Sequence, residues 1–138
     1  MRRSDTGLWK IFLMNGTSVT EERQVIRNYQ SLSYEFKSAA DFNNDGRADI
    51  LIRNANTGIW RLFLMDGTSI IDKGVVDILR SSRYVFIDAQ DLNDDGKADV
   101  IIRKDDGRWH ATLMDGINVI DAGFITLKKD LEWTLIVD

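Results

Sequence analysis

Two nine-residue runs carry the residues best suited to chemistry: Asp41 to Asp49 reads DFNNDGRAD, and Asp91 to Asp99 reads DLNDDGKAD. Each places a side-chain oxygen at positions 1, 3, 5 and 9. In the first these are Asp41, Asn43, Asp45 and Asp49; in the second, Asp91, Asn93, Asp95 and Asp99. The main-chain carbonyl at position 7, from Arg47 or Lys97, is a natural fifth oxygen. Such a set suits a hard cation, and calcium takes about six to eight oxygens in flexible geometry. Glycine at position 6, Gly46 or Gly96, allows the sharp turn that folds a loop round an ion. Two Ca2+ sites are therefore expected. All side-chain ligands of each site lie within one short run, so the loop can wrap its ion alone, and the expected role of calcium is structural. Catalytic magnesium or manganese is more usually held through fewer carboxylates from separated segments.

The residues after each run decide which kind of loop it is. An EF-hand loop of about twelve residues closes with a bidentate Glu and leads into a helix. Here the twelfth position is Ile52 or Ile102, and the chain continues as Ile50-Leu51-Ile52 or Val100-Ile101-Ile102. Short β-branched runs of this kind predict buried strands. The D-x-N-x-D-G-x-x-D loop opening a strand resembles the FG-GAP (VCBS-type) repeats of integrin-like β-propellers. The resemblance extends through Asp49-Ile50-Leu51-Ile52-Arg53-Asn54 and on to Gly58-Ile59-Trp60-Arg61-Leu62-Phe63-Leu64-Met65-Asp66-Gly67, which match the D-I-L, Arg-Asn and W-L-M-[ND]-G segments of the bacterial repeats.

The chain repeats with a period near 50: Asp41 maps to Asp91 at offset 50, Trp60 to Trp109 at 49, and Trp9 to Trp60 at 51. Each unit reads as an aromatic strand (Tyr34 to Ala40, Tyr84 to Gln90, Trp133 to Asp138), a calcium loop, an apolar strand and a turn. A Trp strand, an Asx-Gly turn and an outer strand (Ser18 to Val25, Ser69 to Val76, Asn118 to Ile125) complete it. Asn15-Gly16, Asp66-Gly67 and Asp115-Gly116 suit type I′ hairpins, whose two central residues both need positive φ. Four antiparallel strands per unit describe a propeller blade. The expected fold is all-β, with about three four-stranded antiparallel blades forming a partial β-propeller. The whole of residues 1–138 is one repeat domain: a partial blade over 1–33, blades over 34–83 and 84–132, and the start of a further blade over 133–138. This implies a fragment of a longer array or a broken blade completed by another molecule. A β-trefoil is the alternative, and strand pairing separates the two, because a blade keeps its four strands in one meander.

Composition narrows the function. The 138 residues contain 43% hydrophobic residues, enough for a core, and carry a formal charge of −4. Two calcium ions would offset that charge, and no basic face suggests a nucleic-acid partner. There is no cysteine, so thiolate catalysis and disulfides are excluded. No stretch reaches membrane-spanning length, so membrane insertion is not expected, and Met1 to Lys10 lacks the profile of a signal peptide. His110 is the only histidine, and the equivalent positions hold Lys10 and Arg61, which reads as a solvated blade residue rather than a general base. No nucleophile elbow or phosphate-cradling loop appears. Trp9, Ile11 and Leu13 share one strand face, as do Trp60, Leu62 and Leu64, and Trp109, Ala111 and Leu113. These apolar stripes predict core between blades, against the alternative of sugar-stacking platforms.

The expected protein is therefore not an enzyme. The resemblance implies a calcium-binding module acting as a binding or adhesion scaffold for a protein or glycan partner. It also implies an extracellular or cell-surface location within a longer exported protein. A lectin propeller and a non-catalytic accessory part of a larger secreted enzyme are the other readings. Open blade faces and edges make a homo-oligomer that completes the propeller an expectation too.

Overall fold

The computed structural model describes residues 9–25 and 33–125. Those residues form β1 (Trp9–Asn15), β2 (Ser18–Val25), β3 (Tyr34–Ala40), β4 (Asp49–Asn54) and β5 (Trp60–Asp66). They continue through β6 (Ser69–Val76), β7 (Tyr84–Gln90), β8 (Asp99–Lys104), β9 (Trp109–Asp115) and β10 (Asn118–Ile125). The expected strand Trp133 to Asp138 lies outside the described residues, as do residues 1–8 and 26–32 of the expected partial blade.

Strand order within the sheets is β3-β4-β5-β6 and β7-β8-β9-β10, with β1-β2 forming a two-stranded sheet. All pairings are antiparallel. Each repeat thus keeps its four strands in a single meander, which overturns the β-trefoil alternative. The copies agree in detail: β3 and β7 carry a bulge at the same place, Phe36/Ser38 and Phe86/Asp88.

The Trp stripes are the contacts between sheets. Trp60, Leu62 and Leu64 from β5 meet Val100, Ile102 and Met114 of the following sheet in the larger core cluster. Trp9 and Ile11 from β1 join Ile52, Phe63 and Met65 in a second cluster. The strand face opposite the stripe, holding Phe63 and Met65 on β5 and His110, Thr112 and Met114 on β9, is thus covered by the preceding sheet. This corrects the expected exposure of His110, which is 6% exposed rather than solvated, with Phe63 at 1% and Thr112 at 0%. Period-two alternation distinguishes the two faces of a strand but not whether both are covered.

The hairpin turns differ from expectation as well. In all three, a two-residue loop comes after the Asx: Gly16-Thr17 between Asn15 and Ser18, then Gly67-Thr68 and Gly116-Ile117. Only the glycines have positive φ, at 61, 61 and 59°. A positive φ confined to the first central residue is the pattern of a type II′ turn, so the Asx closes the strand instead of entering the turn.

Burial gives His110 a consequence for stability. Its ring sits between Tyr84 and Phe124, with centroids 6.3 and 5.3 Å away, and its Nδ1 is buried without a hydrogen-bond partner. Burial holds its pKa below the ordinary 6.5. The unfolded chain then takes up a proton near pH 6.5 that the folded chain refuses, so stability present above that pH is lost as pH falls through it. The melting temperature is expected to drop between about pH 7.5 and 5.5, and His110→Phe to reduce that drop. Identical pH profiles for the two proteins would contradict this.

Candidate metal centre

The Asp-rich loops join the first and second strands of each four-stranded sheet, and the same local bonds shape both. Asp41 accepts from the Asp45 N–H through Oδ1 at 3.2 Å and from the Gly46 N–H through Oδ2 at 2.8 Å. Asp91 repeats this with Asp95 and Gly96 at the same distances. Oδ1 of Asp45 accepts from the Arg47 N–H at 2.9 Å, and Asp95 does so from Lys97 at 2.9 Å. The backbone needs left-handed residues to close so tightly, and Gly46 and Gly96 supply them at φ 79 and 81°. Ligand spacing alone does not reveal a second left-handed residue, at position 4: Asn44 and Asp94 lie at φ 60 and 61°. Asn and Asp tolerate that region best among non-glycine residues, so the NN pair at positions 3 and 4 and the DD pair at positions 4 and 5 are the available signal.

Position 9 ties each loop to its sheet. Asp49 and Asp99 are fully buried. Asp49 accepts from the Phe42 N–H at 2.9 Å and the Met65 N–H at 2.9 Å, and Asp99 from Leu92 at 2.9 Å and Met114 at 2.8 Å. One carboxylate therefore clamps the start of its loop onto the third strand. Burial pushes both carboxyls above the usual carboxylate range against the pull of these N–H groups, and the charges of Asp41 and Asp45, or Asp91 and Asp95, push further. At Asp91 burial pulls upward, but the N–H groups of Gly96, Asp95, Asp94 and Asn93 together outweigh it and hold the carboxyl low.

In the second loop, ligand oxygens of Asp91, Asp95 and Asp99 all lie within 4.8 Å of one another, the one such group among the described residues. The Asn93 amide nitrogen bridges two of these carboxylates, donating to Asp91 Oδ1 at 3.1 Å and Asp95 Oδ1 at 3.0 Å. Three carboxylates held this close still repel one another, and a bound cation would offset that repulsion. In the first loop the three aspartates are not grouped so closely, and the Asn43 side-chain oxygen is buried without a partner. The donor set fits calcium: it is all oxygen, short in sequence and mounted on a turn. At position 7, Arg47 Nε lies 3.2 Å from Asp66 while its Nη1 also reaches Asp45 Oδ2 at 3.9 Å, and Lys97 Nζ lies 3.2 Å from Asp115. These side chains are cationic, so the main-chain carbonyls are the candidate ligands there.

The two loops also interlock, which no local pattern signals. The Ala98 N–H donates to the Asp41 carbonyl at 2.7 Å, and the Gly116 N–H to the Phe42 carbonyl at 2.9 Å. A Cβ at Gly96 would stand 2.8 Å from the Asn44 side chain, so glycine there serves the neighbouring loop as well as its own turn.

Tryptophan placement bears on ligand binding. Trp60 is fully buried, its Nε1 donating to the Leu79 carbonyl at 3.2 Å and Arg53 lying 5.0 Å from its ring, so its indole face is not open to a sugar.

Four-stranded meander sheets repeated along the chain, each with an aspartate loop between its first and second strands, define a blade-type repeat protein. The chain belongs to the FG-GAP-like repeat family, whose model matches residues 41–116, from Asp41 at the start of the first loop to the last Asx-Gly turn. No curated protein and no solved structure matches the chain.

Proposed function

We propose that this chain is a calcium-braced FG-GAP-like repeat module of propeller type, a non-catalytic binding or adhesion scaffold for a protein or glycan partner. One observation carries the calcium reading: the convergence of the Asp91, Asp95 and Asp99 carboxylate oxygens within 4.8 Å of one another. A divalent cation there removes the mutual repulsion of the carboxylates and fixes the loop that links two strands. The repetition of the same backbone bonds around Asp41, Asp45 and Asp49 supports a second ion in the first loop. Family membership supports the scaffold role, and loops on rigid blades suit recognition. Extracellular or surface display within a longer exported protein completes the proposal.

Chelation tests it. Removing calcium is expected to lower the melting temperature by several degrees, because a ligand bound only by the folded state stabilises by about 2.7 kcal/mol at a hundredfold excess over its Kd. Magnesium at equal concentration is expected to restore little of the loss. An unchanged melting curve in chelator would remove the basis of the reading. A glycan array probed with and without chelator then distinguishes a glycan partner from a protein one.

A further inference from the structure

We infer that the chain associates head to tail with copies of itself, the outer face of the β7–β10 sheet in one copy covering the open face of the β1–β2 sheet in the next. The inference is independent of the cation sites and rests on two contacts already present within the chain.

At each internal contact a Trp stripe from one sheet covers the opposite face of the next sheet along the chain. Leu13 Cδ1 stands 3.3 Å from the place of a Cβ on Gly67, and Leu64 Cδ1 stands 3.8 Å from that on Gly116. The methionines on the covered faces, Met65 and Met114, are 1% and 0% exposed. A polar pair accompanies the first contact, with Thr68 Oγ1 donating to Glu21 of the preceding sheet.

Both halves of a third contact exist on the chain, and neither is filled among the described residues. The stripe is Trp109, Ala111 and Leu113, each half-buried, beside a mainly apolar cleft that also reaches Leu92 and Ile125. The receiving half lies at the other end of the stack. Met14, the counterpart of Met65 and Met114, is 54% exposed, and a Cβ on Gly16 would meet nothing within 4 Å. The polar pair has its counterparts too: Asp121 lies opposite Leu113 as Glu21 lies opposite Leu13, and Thr17 occupies the place of Thr68. A second copy brings Leu113 over Gly16, buries Met14 beneath the Trp109 stripe and sets Thr17 against Asp121. Because the two patches differ, the contact is heterologous and yields a ring or an open filament.

Sedimentation velocity of the whole chain over a range of concentrations tests this. The expected result is a mass in multiples of the 15.8 kDa chain. Leu113→Arg, which blocks the stripe, and Met14→Arg, which blocks the receiving face, are each expected to weaken association at least about tenfold, the equivalent of 1.4 kcal/mol. A mixture of the two variants retains one working patch of each kind and should form one-to-one pairs, while far-UV circular dichroism shows both folded. A single-chain mass at every concentration would overturn the inference and favour cover by the chain's own residues 126–138. Equal masses for wild type and both folded variants would overturn it as well.

Discussion

Asp99→Ala is expected to destabilise the fold by about 2–6 kcal/mol in chelator, before any lost calcium is counted, since each of the two N–H groups left without a partner costs about 1–3 kcal/mol. Asp99 is fully buried and holds the Leu92 and Met114 N–H groups at 2.9 and 2.8 Å. Removing its carboxylate strands both donors, one at the start of the loop and one on β9. Asp99→Asn retains a single carbonyl acceptor and should fall between wild type and alanine. Burial also opposes the charge on Asp99 when no cation is present, so part of the loss is offset in the calcium-free protein. With calcium, the gap between wild type and Asp99→Ala is expected to widen, because only the wild-type loop gains from the ion. Urea unfolding with and without calcium measures both gaps. Equal stabilities in chelator would show that the clamp contributes nothing; equal gaps in the two conditions would detach Asp99 from the cation.

Trp60→Ala is expected to cost about 3–5 kcal/mol, the range for large-to-small changes at buried aromatics. Trp60 is fully buried between two sheets, stands 6.2 Å from the Phe86 ring, and carries Arg53 over its face. Its loss opens a cavity in the larger core cluster and strands the Leu79 carbonyl. Arg53 adds to the cost, for it also donates to the Tyr84, Arg80 and Ser81 carbonyls and so ties β4 to the connection leading into β7. The same change at half-buried Trp109 should cost clearly less, because less of that side chain is withdrawn from water. Guanidinium unfolding of both variants checks the contrast. A Trp60 variant as stable as wild type would place the indole outside the core.

Much of this is legible in the residues themselves. Strand ranges such as Tyr34–Ala40 and Ser69–Val76 come from period-two alternation bounded by Asx-Gly turns and polar connections. The loop positions are legible because ligand spacing and glycine placement lie within one short run. The features that escape are non-local. His110 and Thr112 look like outward residues on β9, and become buried because a neighbouring sheet covers that face. The turn type escapes because Asx-Gly fits either hairpin geometry, and only the pairing of Asn15 with Ser18 shows which residues are central. The bond from the Ala98 N–H to the Asp41 carbonyl joins main-chain atoms of different repeats, which side-chain pattern does not encode. Left-handed Asn44 and Asp94 show the complementary case: the residue types are informative, but the preference is shared with many ordinary turns.

Calcium titration by calorimetry tests the central claim most directly. Two ions per chain are expected for the wild type, and one each for Asp45→Ala and Asp95→Ala. No calcium uptake by the folded wild-type chain, or two ions still bound after either substitution, would contradict the account.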